Sequence, residues 1–282
     1  MANYSNSIHE KRLLRIVKRG GEYVVARTPI IKRLYWRFAP RYYRWKLHRS
    51  FDHSAPIDLT KIVDVNTDNL NRMTGRYESN IDRGMALGKV KEGDWDQRPR
   101  TDTMISGEFF EETILHRSFR DHFVNGLDWM DTDLYDSMMS DPEFQQKMGV
   151  SNEGEVLERL HRYEQLYQEI QSTGYKTQKQ IQREAGIKPD RVGYLDLLAD
   201  EITVDIGRDG SLLFVDGNHR LSIAKILDLD TVPVTILVRH SDWLDKRKVL
   251  YRQFERNEYT PDHPDVVEFG TESPESDHQR YS

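Results

Sequence analysis

The 282-residue chain contains no cysteine. That absence excludes disulfide staples, thiolate nucleophiles and cysteine-bound zinc, and it fits a reducing compartment. Long apolar runs are missing too. No stretch is long enough to span a bilayer or to form the core of a secretory signal, so a cytoplasmic location is expected. There is no Walker A, G-x-G-x-x-G, G-x-S-x-G or H-E-x-x-H pattern, and the ten histidines are scattered without metal-site spacing. Acidic residues are nearly missing from the first fifty positions, where 13 Lys and Arg face only Glu10 and Glu22, a balance of about +11. Since the whole chain carries −6, the remainder carries about −17. A hydrophobic share of 37% supports a real core, and the length allows one large or two modest domains.

What is present is centred on the run Leu-Leu-Phe-Val-Asp-Gly-Asn-His-Arg-Leu-Ser-Ile-Ala-Lys at 212–225. Its apolar start reads as a buried strand, Asp216-Gly217 as the stop, and Asn218 as the N-cap of a helix reaching about Leu227. Ile202, Val204 and Ile206 alternate with polar residues before it, and Val232, Val234, Ile236 and Val238 alternate after it. The stretch 207–210 looks like a hairpin loop. The predicted local order is therefore hairpin, helix, strand. The first amides of a helix have no internal partners and carry partial positive charge, so a helix opening on Asn218, His219 and Arg220 suits a phosphate. An arginine forks onto phosphate oxygens and a histidine donates or shuttles a proton. The same string also fits a plain turn with solvated first-turn side chains.

This D-G-N-H-R motif and its flanks, about 200–240, resemble the ParB/sulfiredoxin-like superfamily. The resemblance implies an α+β domain with a small mixed sheet. Sulfiredoxins carry a cysteine where Asn218 stands, so sulfinic acid reduction is excluded. ParB proteins hold CTP with an arginine-richer box, of which only Arg220 remains here. Archaeal free-serine kinases share the form D-G-x-H-R. That similarity implies that Asp216, His219 and Arg220 face nucleotide phosphates or the transferred group.

Elsewhere the reading is local. Residues 30–47 interleave aromatics with Arg and Lys around Pro40. Such a mixture suits an anionic membrane surface, single-stranded nucleic acid, or docking on the chain's own acidic body. Residues 56–65 look like an entry strand. In the run 88–98, Asp94 and Asp96 flank Trp95. The two carboxylates would carry a Mg²⁺ and the indole would stack on a base if this loop lay beside Arg220; otherwise it is a polar turn with a packed Trp.

From 107 to about 186 the periodicity is helical, with Phe110, Ile114, Phe119 and Phe123, then Asp141-Pro142, then Val156, Leu160, Tyr163, Tyr167 and Ile170 as core stripes. Residues 177–193 carry a helix-turn-helix outline weakened by Pro189 and Gly193. The tail from Pro261 is polar and acidic and is expected to be disordered.

The sequence thus predicts a basic aromatic arm (1–55), a ParB/sulfiredoxin-like α+β domain in two parts (56–106 and 196–260), a helical insertion (107–195) and a tail (261–282). The expected function is binding of an ATP-type nucleotide (ATP or CTP, with Mg²⁺) and phosphoryl transfer to a small hydroxyl-bearing acceptor. In that reading Gly217, Asn218, His219 and Arg220 hold phosphate, Asp216 or His219 takes the acceptor proton, and Asp94 or Asp96 holds the metal. The competing expectation is a non-catalytic nucleotide-sensing or nucleic-acid-binding protein. The arm, 1–50, would supply contact with an anionic membrane or nucleic acid, placing the protein at the membrane periphery.

Overall fold

The structure, a computed structural model, describes residues 29–49, 55–76, 86–101, 105–184 and 193–270. The alternating segments form a mixed sheet of β1 (Ile62–Asn66), β2 (Lys89–Lys91), β3 (Ile202–Ile206), β4 (Leu212–Asp216) and β5 (Thr231–His240). β5 is central. It pairs antiparallel with β1 (Val63 opposite Val234) and parallel with β2 along one edge, and parallel with β3 (Val204 opposite Ile236) along the other. β4 closes the hairpin with β3. Its outer edge is satisfied by the passing chain: Phe214 donates to the Arg72 carbonyl at 2.8 Å, and Thr74 donates to the Phe214 carbonyl at 2.9 Å. An edge blocked in this way cannot template another strand.

The helices are α1 (Pro29–Arg49), α2 (Ile114–Phe123), α3 (Asp133–Ser140), α4 (Pro142–Met148), α5 (Glu153–Thr173), α6 (Gln178–Glu184), α7 (Tyr194–Ala199), α8 (Asn218–Ile226) and α9 (Ser241–Glu255). The protein is therefore a mixed helix-and-sheet molecule of the α+β kind. Hairpin, helix and strand follow one another between 202 and 240 as the alternation predicts. The sheet is covered on both faces. Ile202, Val204, Ile206, Phe214 and Val234 pack with Leu221 and Ala224 of α8 and Trp243 of α9. On the opposite face Leu213, Val215 and Leu237 meet Trp95 and Leu198. Burial on both faces fits the consecutive Ile236, Leu237 and Val238 in the second half of β5.

Residues 114–173 form a helical unit whose starts are written locally. Thr113 caps α2, Asp141 with Pro142 opens α4, and Asn152 caps α5. The predicted stripe residues Phe119, Val156, Leu160, Tyr163 and Ile170 are buried in its core, and Tyr167 stacks on Phe123 at 4.0 Å. That core also includes Ile223 of α8, so the unit packs directly on the helix that carries the D-G-N-H-R motif.

Of the three readings of the basic aromatic stretch, docking on the chain's own body describes residues 29–49, which form a helix seated on it. The Tyr194 amide donates to the Tyr35 hydroxyl at 2.8 Å, Tyr43 stacks on Tyr194 at 5.9 Å, and Leu47 packs against Ile57 and Leu59. Residues 1–28 lie outside the described part. The expectation that the chain is disordered from Pro261 is corrected for residues 261–270. Asp265 is buried and accepts from Arg239, Trp243 and Arg247, with Val266 and Phe269 packed beside it. Composition pointed to solvent, but two buried guanidinium groups need a carboxylate, and this segment supplies it. Positions 271–282, and 185–192 of the helix-turn-helix outline, fall outside the described residues.

Candidate functional site

The site is built at the junction of β4 and α8. Gly217 lies at φ 104° in the left-handed region, and a Cβ there would come within 2.9 Å of the Ile202 Cα. Only glycine turns the strand into the helix so abruptly beside β3. Gly217 is itself the cap and makes no side-chain bond, and the helix begins at Asn218. The expectation that Asn218 is the N-cap is therefore off by one, because backbone geometry performs the turn that a side chain was expected to perform. The first intrahelical bond runs from Leu221 N–H to the Gly217 carbonyl at 3.0 Å, and the amides of Asn218, His219 and Arg220 precede it.

Around these amides stand several polar groups. Asp216 Oδ1 accepts the Gly217 N–H at 2.6 Å. Arg100, deeply buried, donates from Nη1 to the carbonyl of Val215, two residues before Gly217, at 2.6 Å. His219 stacks face to face on Tyr163 of α5 at 4.5 Å and lies 6.0 Å from Phe119. Its Nε2 is buried without a hydrogen-bond partner, as is Oδ1 of Asn218. Burial, with Arg159 adding to it, pushes His219 down to about 4, so the ring is neutral at pH 7. It can donate or accept a hydrogen bond there but does not supply positive charge.

Arg220, expected to face phosphate, is also held by the fold. Its Nη1 lies 3.3 Å from Oε2 of Glu201, its Nη2 donates to the Asp200 carbonyl, and its guanidinium lies 5.9 Å from the Tyr175 ring centre. Glu201 is buried, and its other oxygen takes the Gln178 amide at 2.6 Å. Burial pushes the Glu201 carboxyl up, and the Gln178 bond and the Arg220 charge oppose that. The pair thus ties the start of α6 to the first turn of α8.

Asp94 and Asp96 do not meet Arg220. They lie at the loop end of the β3–β4 hairpin, opposite the end that carries Asp216, and both grip Arg208. Asp94 Oδ1 is 2.8 Å from its Nη2, and Asp96 takes both Nε and Nη2. Burial pushes the Asp96 carboxyl up, but the Arg208 bonds and charge more than offset it and hold it below the usual carboxylate range. Trp95 is buried and tilted against His240 at 5.8 Å, so it has no open face for a base. The condition for a metal on Asp94 or Asp96, a loop beside Arg220, is not met, and Arg208 engages both carboxylates. Among the described residues no group of three or more His, Asp or Glu could hold a metal ion.

The structure therefore joins Asp216, Gly217, Asn218, His219 and Arg220 and separates Asp94 and Asp96 from them. It adds Tyr163, which the helical stripe placed in a core but not beside His219, and Arg100 and Glu201, which no local pattern announces because their partners are far away in the chain. A charged residue opening an apolar strand, as Glu201 does, was the one available hint. Among the described residues no helix is long and apolar enough to cross a membrane. Compared with family models, curated proteins and solved structures, the chain shows no match.

Proposed function

We propose that the Asp216–Arg220 turn binds the phosphates of an ATP-type nucleotide, in a domain of the ParB/sulfiredoxin-like kind. The observation that carries this reading is the pair of buried, unpartnered polar atoms, Asn218 Oδ1 and His219 Nε2, beside the free amides at the start of α8. Leaving a buried polar atom unpaired costs about 1–3 kcal/mol, and a bound phosphate removes that cost. The Asn218 amide presents either its oxygen or its nitrogen to the site after a half-turn about its last bond. Neutral His219 donates one ring N–H. Arg100 adds positive charge at the end of β4.

In the transfer form of this proposal, an acceptor hydroxyl attacks the terminal phosphorus and the bond to the bridging oxygen breaks. The diphosphate leaves with that electron pair, and the hydroxyl proton passes to Asp216 or to neutral His219. Asp94 and Asp96 take no part. A second reading, a non-catalytic nucleotide switch, is favoured by Arg220. A phosphate that drew the guanidinium from Glu201 would leave that buried carboxylate without its counter-charge and so couple the site to the start of α6.

Calorimetric titration with ATP, ADP and CTP, with and without Mg²⁺, tests the site on the wild type and on Asn218→Leu and His219→Phe. Binding that both substitutions abolish supports the proposal, and parental affinity in both removes it. Consumption of bound nucleotide with a hydroxyl acceptor separates transfer from switching.

A further inference from the structure

We propose that the outward face of α1 is a docking surface for an anionic lipid membrane. The exposed large aromatic side chains of the described residues all lie on this helix: Phe38, Tyr42 and Trp45, joined by Leu34, are 49–55% exposed. Spacings of four, four and three residues put the four within about 80° of one another around the helix. The inner face, with Tyr35, Ala39, Tyr43 and Leu47, is used in seating α1 on the body. The stripe is therefore a second, separate face, presented outward by a helix already held in place. Other exposed apolar side chains are aliphatic or Met and occur on other elements.

Charge selects the occupant. The helix sequence contains seven Lys and Arg and no acidic residue. Arg37 and Arg41 border the stripe on one side and Lys46 on the other, and Arg49 lies 5.1 Å from the Trp45 ring. Rings flanked by basic groups match the boundary between headgroup and acyl chain, where Trp and Tyr settle and Lys and Arg meet lipid phosphates. The body beyond residue 50 carries about −17. An anionic surface therefore attracts the α1 face and repels the rest, which fixes the orientation. A second copy of the chain would set Arg37, Arg41, Lys46 and Arg49 against their own counterparts, and a dimer through this face is disfavoured. The helix is too polar to cross a bilayer, so the contact is peripheral.

The test is co-sedimentation of the full-length protein with vesicles of phosphatidylcholine alone and of phosphatidylcholine mixed with phosphatidylglycerol. Binding to the mixed vesicles only, weakening as salt rises, is expected. Phe38→Ser/Trp45→Ser should weaken it at least about tenfold, as should Arg37→Glu/Arg41→Glu, with melting temperature and circular dichroism unchanged. Several results would overturn the proposal: equal binding to both vesicles, no binding, or parental binding by both variants. So would a stripe substitution that converts a dimer to a monomer or abolishes only oligonucleotide binding.

Discussion

Arg220 Nη1 lies 3.3 Å from Oε2 of Glu201, and the carboxylate it meets is almost wholly removed from water. The arginine of the motif thus serves the fold as well as any ligand. Arg220→Ala should cost about 3–5 kcal/mol of stability, because it leaves a buried carboxylate without a counter-charge. Arg220→Ala/Glu201→Leu should recover a good part of that loss. Denaturant unfolding of the two single variants and the double variant gives the coupling directly, and additive losses would refute it.

His219 sets a pH dependence. In the folded chain its pKa falls to about 4 from an ordinary 6.5, and His116, buried beside Ser222, falls likewise to about 4. Folding therefore favours the neutral rings. The associated stability is present above about pH 6.5 and is lost as pH falls toward 4, by about 3 kcal/mol for each ring. Thermal melts between pH 7 and pH 4 should show the decline, and His219→Phe should remove about half of it.

Gly217→Ala should be costly at the same turn. It combines a left-handed residue with a Cβ 2.9 Å from the Ile202 backbone. The expected loss is about 2–4 kcal/mol. Nucleotide binding should weaken with it as the first turn of α8 shifts. A variant that melts with the parent and binds like it would show that the turn is looser than its geometry implies.

Asp265 pairs with both Arg239 and Arg247 and accepts from the Trp243 indole. Asp265→Ala should destabilise by about 3–5 kcal/mol, and ending the chain at residue 260 should do no less. Equilibrium unfolding of both checks whether the segment following Pro261 belongs to the fold.

These residues also show what could be read from sequence. The strand, turn and helix around Gly217 were legible because an alternating pattern, a glycine and a 3.6-residue pattern are local signals. The exact helix start was not, since a left-handed glycine and an Asn cap look alike in a string. The partner of Asp96 lies 112 positions away at Arg208, and that of Asp265 lies 26 away at Arg239. Charges separated so far in sequence read as solvated until the chain brings them together. The aromatic stripe of α1 was visible as composition, but which of its rings face the body and which face outward is decided by Tyr194 and Leu59, far from it in the chain.

Ile223 belongs to the core of the helical unit, yet it stands fifty residues beyond the end of α5 at Thr173. A ribosome making this chain therefore delivers residues 114–173 well before the side chain that completes their interior. His219, which covers Tyr163, arrives at the same late moment. Until then Phe119, Leu160 and Tyr163 have an unfilled seat, and the nascent helical unit is left with the kind of open apolar surface that engages chaperones. Synthesis of α8 closes the unit and lays down the phosphate turn in one stroke, so a polypeptide stalled before residue 218 has neither.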